Sequence, residues 1–189
     1  ESGVAHGFEA QDSDKLEMIP LRPPEIVESI QDRTANSNPV ARTANLNTQN
    51  LDIGISWDQE GTDLDLFVRP WQGAEVLYYA NAHSDEGIFF KDYRTSPEAG
   101  GNYETVALSV PLDVRSVQIA VNYYSGRSAE DVQGEIRLSF GGNTYAQPFT
   151  IQPRPGGNSL TVENVFTQGL SPYRGKLVFD TLDLLGLRP

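Results

Sequence analysis

From residue 51 onward, apolar and polar residues alternate in short runs. Leu51, Ile53, Ile55 and Trp57 share one parity, with Asp52, Gly54 and Ser56 between them. In the next run Leu64, Leu66 and Val68 lie on one side, and Asp63, Asp65 and Phe67 on the other. Side chains alternate along a strand, so each run predicts a strand with one apolar face. The acidic DQEGT between them predicts a tight turn, with Gly61 supplying a positive φ. Further strand-like runs cover 74–80, 103–110, 114–124, 134–140, 144–151, 159–167 and 176–180. Gly141-Gly142-Asn143 predicts a hairpin turn, and Pro153 to Asn158 another break. The end of the chain, TLDLLGLRP, reads as a strand or a helical turn. Short alternating runs between Gly, Pro and Asn turns predict an all-β fold. It is an antiparallel β-sandwich, jelly-roll-like, over 51–189, with one wet face per sheet.

Residues 1–50 have another pattern. They are polar, with one apolar island at 19–33, IPLRPPEIVESIQDR. Pro24 and Glu25 suit a first helical turn, and Ile26, Val27 and Ile30 share a face. An N-terminal extended arm carrying one short helix near 25–32 is expected, packed on the domain or on a neighbour.

The aromatic residues divide between core and surface. Trp57, Phe67, Phe140, Phe149 and Phe166 fit the core or its edges. Tyr78-Tyr79 and Tyr123-Tyr124 are adjacent pairs, so one ring of each points outward. Outward Tyr79 and Tyr124, with Trp71, would suit a stacking platform for a ligand such as a sugar.

Charge narrows the partners. The formal net charge is -12 over 189 residues, and the pI is about 4.5. That balance argues against nucleic acid and anionic membrane surfaces. There is no Cys, hence neither a disulfide framework nor a zinc–thiolate site. No apolar run approaches the ~20 residues of a membrane-spanning helix. The first residue is Glu1, not Met. Removal of an export signal is the expectation, with a periplasmic or secreted location.

Catalytic signals are thin. The histidines are His6 in the arm and His83 in the domain, and no serine sits in a G-x-S-x-G setting. No phosphate loop or dinucleotide fingerprint appears. A hydrolase using loop carboxylates stays open as an alternative, and a non-catalytic module is the expectation. The acids speak for a hard cation instead. Calcium takes six to eight oxygen ligands. Asp63 and Asp65 project from one strand, and Asp58 lies across the turn. The stretch 80–87 adds Asn81, Ser84, Asp85 and Glu86, and 91–104 adds Asp92, Glu98, Asn102 and Glu104. The predicted calcium ligands are Asp58, Asp63, Asp65, Asn81 and Asp92. The competing reading is a solvated acidic surface paired locally with Lys91 and Arg94.

The series ISWD, GTDLDLFV, LYYAN and IAVNYYSG resembles exported bacterial β-sandwich domains of unknown function (YfaP-type). The matching residues are Ser56, Trp57, Asp63, Leu64, Asp65, Leu66, Val68, Tyr78, Tyr79, Asn81, Val121, Tyr123, Tyr124 and Gly126. The histidine usual after D-L-D-L is Phe67 here. The layout is also similar to TerD-like calcium-binding domains, with Trp57, Asp58, Asp63, Asp65, Tyr79, Asn81, Ser84 and Gly87 in matching order. Their acidic loop is more acidic than 92–104, so the resemblance does not carry over a second calcium. Both resemblances cover roughly residues 51–151. They imply a binding module for a protein or cell-surface ligand. A metal-independent carbohydrate-binding domain is the alternative.

Overall fold

The computed structural model describes residues 45–90, 102–126, 129–153, 161–167 and 175–188. The helix expected at 25–32 and the predicted ligand Asp92 lie outside them. The described chain forms antiparallel sheets packed together as a β-sandwich. Its elements are β1 (Asn47–Thr48), β2 (Leu51–Trp57), β3 (Thr62–Arg69), β4 (Gly87–Phe89), β5 (Asn102–Leu108) and β6 (Leu112–Asp113). A 3-10 turn (Val114–Ser116), β7 (Gln118–Gly126), β8 (Val132–Phe140), β9 (Asn143–Ile151), α1 (Val162–Val165), β10 (Lys176–Phe179) and α2 (Thr181–Leu184) follow. One layer has the order β4-β5-β2-β8-β9, the other β10-β7-β3, and β1 pairs with β6 at one end.

The alternation read from residue 51 is the reason for this layering. Ile53 lies opposite Val106 on one side and Leu138 on the other, so three strands present one apolar row. These residues are fully buried, together with Leu64, Leu66, Val68, Ile119 and Val121 of the facing layer. Each such side chain gains about 1.5–3 kcal/mol on leaving water. The β8–β9 hairpin turns at Gly141 and Gly142, with φ of 58° and 76°. Both lie in the left-handed region that a two-residue turn of this hand requires.

Several expectations need correction. The run 74–80 is not a strand. Leu77 bridges to Val68, and Tyr78 then turns back onto Asn81 through mutual backbone hydrogen bonds. The run 159–167 contains the short helix α1. Val162, Val165 and Phe166 are three and four apart, the spacing of a helical face, and they pack on Phe67, Val76 and Ala120. That second cluster covers the outer side of β3. Phe67 is therefore buried on the side that carries Asp63 and Asp65, and most of β3 is covered on both faces. β5 is likewise buried throughout. The last residues settle as the helical turn α2, whose Leu184 and Leu185 enter the main core.

Candidate metal centre

The site lies where the β2–β3 hairpin meets the start of β5. Gly61, with φ of 72°, lets the chain reverse. The Trp57 indole Nε1 donates to the Thr62 carbonyl at 2.9 Å, closing the turn from within. Asn102 Nδ2 donates to the Gln59 carbonyl at 2.9 Å and ties the turn to β5. Two residues further along β5, Glu104 shares the inward face of Val106 and Leu108. It reaches across to β3, where its Oε2 accepts the Leu66 backbone N–H at 2.6 Å. The hydrogen bond joins one sheet to the other.

Asp63 and Asp65 leave β3 two residues apart. The β3–β7 register shifts between Asp63 and Leu64: Asp63 faces Ser125, Leu64 faces Tyr123, and Tyr124 is the extra residue of a bulge. Asp65 Oδ2 accepts from Asn122 Nδ2 at 3.3 Å. The result is a cluster of Asp63, Asp65 and Glu104, each offering a carboxylate oxygen within 4.8 Å of the others. Asp65 is 5% exposed, Glu104 1%, and Asp63 is half-buried.

Three carboxylates this close carry a cost if all are ionised. At 4.8 Å each pair repels by on the order of 3 kcal/mol in a partly screened protein environment. A cation among them reverses the sign of that term. The donors are all hard oxygens on rigid strands, which suits calcium or magnesium over thiophilic metals. The partly exposed Asp63 leaves a side for water ligands. Lys91 and Arg94, the cations set against these acids in the competing reading, lie outside the described residues.

The sequence-predicted ligands scatter. Asp63 and Asp65 come together. Asp58 stands exposed at the hairpin tip, its N–H on the Gln133 carbonyl at 3.4 Å, and is not one of the three clustered acids. Asn81 Nδ2 donates to the Val76 carbonyl at 2.9 Å, within its own turn. Glu104, named only as one oxygen donor in a long stretch, is the third carboxylate. Its signal was parity with Val106 and Leu108, which places a charge on an apolar inner face. Trp71, Tyr79 and Tyr124 are exposed at 36%, 44% and 41%. They sit on separate segments: the loop after β3, the 78–81 turn, where Tyr79 packs edge-on to Tyr78, and the β7 bulge.

No protein-family model matches the chain, and no solved structure matches it. The likenesses noted from the sequence rest on their motifs alone. Among the described residues, no helix is long and apolar enough to cross a membrane.

Proposed function

We propose that this chain is a non-catalytic, exported β-sandwich module that binds calcium at Asp63, Asp65 and Glu104. The observation that carries the reading is the convergence of three carboxylates from two different sheets within 4.8 Å. An ion there offsets their repulsion and ties β3 to β5, so it acts as a structural brace. The ligand recognised is a protein or a cell-surface glycan, outside the reducing cytoplasm. The acidic balance of -12 fits a calcium-rich, salty setting.

The test is a thermal melt of metal-stripped protein with and without calcium, and with magnesium as control. A ligand that binds only the folded state adds about 2.7 kcal/mol at a hundredfold excess over Kd. A rise of several degrees with calcium, absent with magnesium, is expected. It should disappear in the Asp63→Ala, Asp65→Ala double variant. No shift at millimolar calcium would leave the cluster balanced by a protein cation and the reading wrong.

The exposed rings of Trp71, Tyr79 and Tyr124 favour a second reading, a metal-independent carbohydrate-binding surface. Glycan binding that survives chelation and is lost in Trp71→Ala would support it over the first.

A further inference from the structure

One row of side chains crosses the outer face of the three-stranded sheet. Lys176 of β10 stands opposite Asn122 of β7, and Asn122 stands opposite Asp65 of β3. Directly opposed residues have Cβ atoms about 4.5–5.5 Å apart. The centre of the row is closed to solvent, with Asn122 1% and Asp65 5% exposed. Asn122 Nδ2 donates to Asp65 Oδ2 at 3.3 Å. Lys176 Nζ donates to the Asn164 carbonyl at 3.2 Å and to that of Thr167, both at the C-terminal end of α1. Burial holds the Lys176 ammonium below its ordinary value, which raises the share of neutral amine.

An amine, a carboxamide and a carboxylate in one row, the last two of them buried, are the parts of an amide exchange. We infer that Lys176 and Asn122 are a pair able to join through an isopeptide bond. The neutral Nζ attacks Asn122 Cγ, and a new Nζ–Cγ bond forms. The Cγ–Nδ2 bond breaks, a proton from the amine ends on Nδ2, and ammonia leaves. The balance needs no oxidant, reductant or co-reactant. Asp65 Oδ2 already accepts from the departing nitrogen, so it holds the amide in place. The lysine must leave the two carbonyls of α1 and turn along the row, a rotation about its own side-chain bonds. The product ties β10 to β7 covalently, in a chain with no cysteine for a disulfide.

The row does not depend on the calcium reading, and the experiment keeps the two apart. The intact mass of the full-length chain is measured under denaturing conditions, from metal-stripped and from calcium-loaded protein after prolonged incubation. A mass lower by one ammonia is expected in both. Peptide mapping should find Lys176 joined to Asn122. Lys176→Arg keeps the charge and should restore the full mass. A wild-type chain at full mass overturns the inference. So does an ammonia loss that persists in Lys176→Arg, because a succinimide at another asparagine produces the same loss.

Discussion

Glu104 Oε2 accepts the backbone N–H of Leu66 at 2.6 Å, and the two residues belong to different sheets. The carboxylate thus has two tasks, as acceptor for an edge amide of β3 and as a member of the acidic cluster. Substitutions separate them. Glu104→Gln keeps an acceptor and removes a charge. Its metal-free melt should match or exceed that of wild type, since repulsion on the order of 3 kcal/mol per pair is relieved. Calcium should then raise wild type and leave Glu104→Gln nearly unmoved. Glu104→Ala strands a buried amide and should cost about 1–3 kcal/mol with or without metal. If metal-free Glu104→Gln falls as far as Glu104→Ala, a protein cation already balances the cluster.

Gly134 of β8 faces both Trp57 and Phe149 in the register. A Cβ added there would lie 2.3 Å from Phe149 Cζ and 2.7 Å from the Ser56 carbonyl oxygen. The ring can yield; the backbone oxygen cannot without moving β2. Gly134→Ala should therefore destabilise by about 1–3 kcal/mol, the usual cost of overpacking. Pairing it with Phe149→Leu relieves only the ring contact, so urea denaturation should show the double variant less destabilised than the two singles summed. A neutral Gly134→Ala would contradict this packing.

The pattern of Ile53, Val106 and Leu138 made the sandwich legible, because one wet face imprints a period of two on each strand. Gly141-Gly142 was legible for a similar local reason. The double burial of β3 was not. It depends on α1 arriving about a hundred residues later, at the separation of Phe67 from Phe166, and within β3 only the size of Phe67 hints at it. The 159–167 run misled because Val162, Val165 and Phe166 suit a short helix as well as a strand. In the site, Asp63 and Asp65 were readable as neighbours on one strand. Asp58 was close in sequence only. Glu104 meets them through contact between sheets, which strand spacing cannot encode.

Asp113 grips Arg115 through both carboxylate oxygens, Oδ1 accepting Nε at 2.9 Å and Oδ2 accepting Nη2 at 2.6 Å. Oδ1 also caps the 3-10 turn by accepting the Arg115 backbone N–H at 2.9 Å. The side-chain hydrogen bonds to Arg115 hold the Asp113 carboxyl below its ordinary value. The folded state therefore binds fewer protons than the unfolded chain in that range, and stability rises with pH across it. The wild-type advantage over Asp113→Asn should be complete above the unfolded carboxylate value of about 4. It should shrink as the pH falls through the lowered value. Chemical denaturation of both chains across acid pH reads this directly, and a difference that grows toward low pH would refute the assignment.

The C-terminal end should behave as a hydrophobic plug held lightly by charge. Asp180 Oδ1 caps α2 by accepting the Leu182 N–H at 2.8 Å, and Arg188 pairs with Asp180 and Asp183. Leu184 is 2% exposed and Leu185 0%, both in the main core. Deleting a buried leucine to its Cβ costs about 2–5 kcal/mol, depending on how far the cavity collapses. An ion pair on a mostly exposed arginine contributes about 1 kcal/mol at most. Leu185→Ala should thus lower the melting temperature several times more than Arg188→Ala. High salt should erase most of the Arg188→Ala effect and leave that of Leu185→Ala unchanged, since screening acts on charge and not on packing. Equal losses for the two variants would mean that the ion pair, rather than the leucines, anchors this end of the sandwich.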